Sequence, residues 1–318
     1  MTNSDAPRVN LGPSDLAVSP LALGGNVFGW TADAAQSFAV LDAYAAAGGN
    51  FLDTADVYSA WAPGNSGGES ETVIGDWLRS RGNREQIVVA TKVGMLTGLD
   101  NLRPETIKRG AEASLRRLGV ERIDLFYTHR DDPDTPVEEI VTALDELVRE
   151  GKVREVAASN IGPERLAASL EFAEREGLAK YVAVQPHYNL VSRDTYEGPL
   201  ADVVAAHGLS AVPYYALASG FLTGKYRPGT TVDSARAQGA GRYLDDPRGL
   251  RVLAALDEVA AAHDVRPATV ALAWLAARPT VAAPLASART VEQLPPLLAA
   301  ASLRLTEAEL KLLTAASD

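Results

Sequence analysis

The sequence contains no cysteine. That excludes a disulfide framework, a thiol nucleophile and cysteine-ligated zinc. It also lacks any apolar run approaching the length of a membrane span, and its first residues, MTNSDAPRVN, show no charged-then-apolar leader. The expected address is therefore cytoplasmic, with no membrane partner. Positive charge is scarce: 30 Lys and Arg stand against 41 Asp and Glu, a formal charge of −11. No basic run is present to track phosphates, so nucleic acid is not an expected partner, and an anionic ligand needs local Lys or Arg to overcome the overall field. Missing too are a Pro/Ser-rich linker, a shift in composition and any repeat beyond a βα unit, so residues 1–318 are expected to form a single domain.

What is present is a strict alternation. With 47% hydrophobic and 22% charged residues, the chain can bury a sizeable core. After RVNLGPSDLAVSPLALGG, which can hold a terminal hairpin, eight strand-like runs follow near 21–24, 51–55, 87–93, 124–130, 153–160, 182–189, 210–217 and 281–287. Helices between them carry recognisable ends: Thr135 as a cap with Pro136 at the first helical position, Pro104, Pro163 and Pro267 near other starts, and Gly48, Gly151 and Gly177 near ends. The segment LTEAELKLLTAAS reads as a capped C-terminal helix. Eight such units with right-handed crossovers close into a (β/α)₈ TIM barrel, an α/β fold, here with an N-terminal hairpin and extra helices and loops at the C-terminal face. An open doubly wound sheet is the rival. That fold usually carries GxGxxG after a strand, and GGNVFG at 24–29 has the wrong spacing.

In such a barrel, chemistry sits at the carboxyl ends of the strands. Asp53 ends the second strand, Tyr58 lies just beyond it, Lys92 is near the end of the third and His129 near the end of the fourth. Each has a plain alternative: a strand-end Asp caps turns, a Tyr packs, a lone His is hydrogen-bonded structure. Together they make chemical sense. A phenol titrates near pH 10, and an adjacent ammonium lowers that value and makes Tyr58 a usable general acid. Lys92 supplies the charge, Asp53 holds the lysine charged, and a neutral His129 donates a hydrogen bond to a carbonyl oxygen. A rival reading is a metal-dependent barrel hydrolase using Asp53, Asp56, His129 and His187. The missing HxH pair near the first strand and the intervening Lys92 count against it.

DTADVYS, GESETVIG, ATKVG, DLFYTHRDDP, AASNIGP, VQPHYN, YYALASGFLTGKY and SARTVEQL, in this order, resemble the signature blocks of the aldo-keto reductase superfamily over roughly residues 15 to 300. The likeness is to its bacterial branch and to the related potassium-channel β subunits. The resemblance implies an NADPH-dependent enzyme of the alcohol dehydrogenase type that passes hydride from nicotinamide to the carbon of an aldehyde, ketone or sugar-like carbonyl, or back from the alcohol. It makes Asp53, Tyr58, Lys92 and His129 the catalytic tetrad. It also assigns Ser159, Asn160 and Gln185 to the nicotinamide carboxamide and Tyr214 to stacking on its ring. Gly25, Asn26, Ala216, Leu217, Ala218, Gly220, Lys225 and Arg236 fall to the rest of the NADPH/NADP site, with the backbone of 217–220 and the Lys225 ammonium over the pyrophosphate. GFLTGKY is one residue short of a phosphate-binding GxxxxGK[ST] loop and ends in Tyr226, which argues against a nucleotide hydrolase.

Arg289, helped by Ser287, suits the 2′-phosphate, which guanidinium binds bidentately, and Gln293 also falls to the cofactor site. Thr290 to Gln293 also fits a T-x-x-Q capping box. The block departs from the family pattern in having Pro295, Pro296 and Leu297 where an acid and an Asn usually touch the adenosine end. Ser287 stands for a usual Gly and Ala216 for a usual Pro. Trp30, Trp61 and Met95 are expected to line an apolar substrate wall, with Arg130 at the rim. The alternative from another class is an NADP(H)-binding regulatory subunit with little turnover.

Overall fold

The computed structural model describes residues 7–234 and 236–318. A two-stranded antiparallel hairpin, β1 (Val9–Asn10) and β2 (Ala17–Val18), precedes eight parallel strands: β3 (Ala22–Gly24), β4 (Phe51–Asp53), β5 (Val88–Val93), β6 (Ile123–Thr128), β7 (Val153–Ser159), β8 (Tyr181–Gln185), β9 (Ser210–Ala211) and β10 (Leu285–Ala286). Neighbours run β10-β3-β4-β5-β6-β7-β8-β9. The ring closes where Ala211 N–H donates to Thr280 O at 2.8 Å, Ala282 N–H to Ala211 O at 3.0 Å and Leu285 N–H to Pro213 O at 2.9 Å. The expected (β/α)₈ barrel is the fold.

The last two strands are much shorter than the runs 210–217 and 281–287 predict. Pro213 and Pro284 have no N–H to give a ladder. The outer layer consists of α1 (Ala34–Ala46), α2 (Glu69–Arg81), α3 (Pro104–Leu118), α4 (Val137–Arg149), α5 (Pro163–Glu176), α6 (Pro199–Ala206), α7 (Ala237–Gly241), α8 (Pro247–Ala262), α9 (Pro267–Ala276), α10 (Leu294–Leu298) and α11 (Glu307–Ala316). Thr306 caps α11 in a reciprocal box with Glu309. Two expected caps are not made. Helix α4 has Pro136 at its N-cap, and the Thr135 hydroxyl donates to Asp132 Oδ2 at 2.6 Å. Gln293 Oε1 accepts from the Arg289 N–H at 2.9 Å, and Thr290 makes no capping bond.

Period-two alternation along the strands separates two cores. Leu23, Leu52, Val89, Val93, Phe126, Val156, Ala158 and Val184 face the helices, whereas Ala22, Phe51, Ala90, Leu125, Tyr127, Ala157, Ala183 and Ala283 fill the barrel. The hairpin side chains Leu11, Leu16 and Val18 join that interior core. Gly12 makes the close approach possible: its φ is +51°, and a Cβ there would lie 2.3 Å from Val182 O. One step further along the same inward parity stand Asp53, Lys92, His129, Ser159 and Gln185. Polar groups thus crown an apolar barrel at the carboxyl ends of its strands.

Candidate active site

Strand register brings these inward residues together. Gly24 pairs with Asp53, Lys92 with Tyr127 and Ser159 with Gln185. Lys92 Nζ donates to Asp53 Oδ2 at 2.7 Å, to Thr54 O at 2.8 Å and to Tyr58 OH at 2.9 Å. Asp53 also receives Gln185 Nε2 on Oδ1 at 2.8 Å and the Tyr58 hydroxyl on Oδ2 at 3.2 Å. Asp53 and Lys92 are fully buried. Tyr58 sits above them and faces a cavity of about 680 Å³, which His129 also lines; the two rings are 5.9 Å apart, edge to face. The four tetrad candidates therefore form one cluster.

Burial sets the protonation of this cluster. It holds the His129 imidazole well below its ordinary pKa, assisted by the charges of Lys92 and Arg130, so the ring is neutral at pH 7. It lowers Lys92, against the pull of Asp53. Contrary to the expectation that Lys92 draws the phenol down, Tyr58 stands well above its ordinary value: burial dominates and the Asp53 carboxylate adds to it. A phenol so placed keeps its proton across the neutral range and can give it only to an oxygen that becomes strongly basic.

Of the other expected residues, Asn26, Ser159, Asn160, Gln185, Tyr214, Ala216, Leu217, Gly220, Lys225, Arg236, Ser287, Arg289, Gln293, Trp30, Trp61 and Met95 line the cavity. Asn160 Nδ2 donates to His129 O at 2.8 Å and Asn160 Oδ1 accepts from Tyr214 OH at 2.7 Å, while Ser159 Oγ donates to Gln185 O at 2.8 Å. Tyr214 is stacked on His187, with ring centroids 5.5 Å apart. Ser287 Oγ donates to Asn26 Oδ1 at 2.7 Å. Trp30 and Trp61 meet edge to face at 5.6 Å, and Trp61 reaches towards Tyr58 at 6.2 Å.

Three expected residues do not reach the cavity. Arg130 donates to Asp100 O at 3.1 Å, out at the surface. Ala218 is buried outside the cavity lining, and Gly25 is spent on packing: its N–H donates to Asp53 O at 2.7 Å, and a Cβ there would lie 2.7 Å from Ser70 Oγ. Ser219, within the expected 217–220 stretch, also lines the cavity, and Val57, Tyr215, Thr223, Arg266 and Glu292 line it without having been singled out. Tyr215 follows an expected site residue directly, and its φ of 54° turns it out into the open. The loop from Tyr215 through Gly220 holds Tyr215, Ala218, Ser219 and Gly220 at positive φ, a conformation that costs each non-glycine residue about 1–3 kcal/mol.

Four cations line this cavity: Lys225, Arg236, Arg266 and Arg289. None of their side chains pairs with a carboxylate among the described residues. Arg236 is partly buried, and burial together with the charge of Arg289 lowers its pKa. In a chain of charge −11, these unpaired cations are a local concentration of positive charge that could hold the phosphates of a ligand. No helix of the described residues is long and apolar enough to cross a membrane.

The model of the aldo/keto reductase family matches residues 20–318. The chain is 34% identical over 279 residues to aldo-keto reductase str7 of Strobilurus tenacellus, covering 86% of this chain and 79% of that protein. It is 32% identical over 312 residues to norsolorinic acid reductase stcV of Emericella nidulans, covering 93% and 77%. It is 33% identical over 296 residues to a probable voltage-gated potassium channel subunit beta of Oryza sativa subsp. japonica, covering 90% and 88%. On its barrel, its strand-end cluster and this match, the chain belongs to the aldo/keto reductase family of oxidoreductases.

Proposed function

We propose that this protein is a single-domain, NADPH-dependent carbonyl reductase in which Tyr58 donates a proton to the substrate oxygen. One observation carries the reading: the Tyr58 hydroxyl, held by Lys92 at 2.9 Å and by Asp53, faces a cavity that also bears four unpaired cations. A bound NADPH supplies the hydride. Lys225, Arg236 and Arg289 suit its phosphates, and Ser159, Asn160 and Tyr214 its nicotinamide end. His129, neutral, hydrogen-bonds and orients the carbonyl oxygen. As that oxygen becomes an alkoxide it is a stronger base than the phenolate, and the proton passes from Tyr58 to it. Lys92 then stabilises the phenolate left behind, and Asp53 holds the ammonium in place. Trp30, Trp61, Met95 and Tyr215 exclude water and bind the carbon body of the substrate.

Purified protein incubated with NADPH and a panel of aldehydes, ketones and sugars tests this, followed by loss of nicotinamide absorbance over many turnovers. Many turnovers support the enzyme. A single slow oxidation of bound cofactor on every carbonyl instead supports the cofactor-holding regulatory subunit, to which the likeness to a channel β subunit points.

A further inference from the structure

At the corner where α9 meets α10, the cavity wall is built from residues that the tetrad and its neighbours do not use. Arg266 is the N-cap of α9, with extended backbone (φ −85°, ψ 150°) ahead of Pro267. Thr269 Oγ1 donates to Pro296 O at 2.7 Å and bolts α9 to α10. On the other side, Gln293 Oε1 accepts the Arg289 N–H at 2.9 Å and ties that arginine to the start of α10. Arg266 and Ala268 from the start of α9, Pro296 and Leu297 from α10, and Arg289 just before it all line the cavity, on elements that these bonds join.

We propose that Arg266 is a second guanidinium which, with Arg289, reads the 2′-phosphate of the dinucleotide above a Pro296–Leu297 shelf that does not distinguish the base. This rests on the NADP(H) reading above. A phosphate monoester carries close to two negative charges and three free oxygens. One guanidinium engages two oxygens in a fork, and a second is needed to meet the remaining oxygen and charge. Both arginines are without a carboxylate partner among the described residues. The neighbouring Arg236 already feels the repulsion of Arg289, so a phosphate entering this corner relieves a clash between like charges.

The shelf acts in the opposite way. Pro296, Leu297 and Ala268 present only carbon side chains, and the Pro296 carbonyl is taken by Thr269. Gln293 Oε1 is taken by the Arg289 N–H, and Glu292 is exposed at the rim. A surface of this kind holds a purine by burial and dispersion. It has no buried hydrogen-bonding group left unpaired by a changed base edge, and that is what makes a site selective between such bases. The corner thus reads the phosphate strictly and the base loosely.

Equilibrium binding separates the parts, with quenching of tryptophan fluorescence as the readout, since Trp30 and Trp61 line the cavity. NADPH, NADH and the hypoxanthine analogue of NADPH are titrated into the wild type, Arg266→Ala, Arg289→Ala and the double variant. Arg266→Ala is expected to weaken NADPH by roughly 10- to 100-fold and NADH by less than about 3-fold, the size of a lost charge-assisted pair. The hypoxanthine analogue is expected within about 3-fold of NADPH, with no buried polar side chain to be left unpaired by the exchanged group. Arg266→Ala weakening NADPH and NADH equally, or neither, overturns the role of Arg266, and strong rejection of the hypoxanthine analogue overturns the base-blind shelf. A wild type that binds no dinucleotide overturns the cofactor reading itself. Arg266 is exposed, and near-wild-type unfolding of its alanine variant confirms that a lost preference is not a lost fold.

Discussion

Lys92 Nζ lies 2.7 Å from Asp53 Oδ2, and neither side chain has any exposed surface. Each charge is tolerable in the barrel only because of the other: removing two ions from water is expensive, and close pairing with full hydrogen bonding returns most of that expense. Three donors converge on Asp53, from Lys92, Gln185 and Tyr58, so the carboxylate fixes the geometry of the whole cluster.

Asp53→Asn or Lys92→Met alone should lower unfolding free energy by about 3–5 kcal/mol, because each leaves a buried charge without its partner. The double variant should be no worse than the milder single one. Urea unfolding of the four proteins at pH 7 measures this, and additive losses would mean that the pair is not coupled.

Tyr58→Phe removes one hydroxyl and opens no cavity. Reduction should fall by about 10²–10⁴-fold, the usual contribution of a positioned acid, while NADPH affinity stays close to wild type. Stopped-flow turnover beside fluorescence titration gives both numbers. Unchanged turnover would remove Tyr58 from the chemistry.

The barrel and its cluster were legible because both depend on parity. Phe51 and Asp53, Ala90 and Lys92, Tyr127 and His129 are each two residues apart on a strand, and two residues bring a side chain back to the same face. The last two strands were legible as apolar runs but not in length, since Pro213 and Pro284 interrupt their ladders. Helix α7 gave no signal, being five residues with Gly239 and Gly241. Arg266 and Arg130 show what local pattern omits. Arg266 lines the cavity from the N-cap of α9, a helix that Thr269 bonds to α10, and Arg130 lies outside the lining with its guanidinium on the Asp100 carbonyl. The direction in which Tyr58 shifts was misjudged from sequence because burial of the ring and the nearness of Asp53 outweigh Lys92, and neither is visible in the spacing of residues.

Trp61 is half exposed at the mouth of the cavity, edge-on to Trp30 and Tyr58. It does little for the core, so Trp61→Ala should change stability by less than about 1 kcal/mol. For bulky apolar carbonyls, KM should rise roughly tenfold, the equivalent of one partly buried ring face. For small aldehydes it should hardly move. Steady-state kinetics on one substrate of each kind checks this, and equal effects on both would place Trp61 outside the substrate wall.

Asp56 supplies a pH dependence of stability that is independent of the reaction. Its carboxyl is fully buried, and neither oxygen meets a side-chain donor. Glu71 repels it, while Arg117, Lys92 and the Val57 N–H offset part of the penalty, and burial raises its pKa to about 7 from 3.8. Below pH 4 the group is protonated in both the folded and the unfolded chain and costs nothing. As pH rises from 4 to 7 the unfolded chain releases this proton and the folded one keeps it, so stability falls. Above 7 both are ionised and the full penalty remains, on the order of 2–4 kcal/mol. Asp56→Asn has no proton to lose. Its stability relative to wild type should therefore grow between pH 4 and 7 and level off by pH 8, which urea unfolding at pH 4.5, 6, 7 and 8 measures. A difference that stays constant across that window would show that Asp56 is ionised in the fold at every one of these pH values.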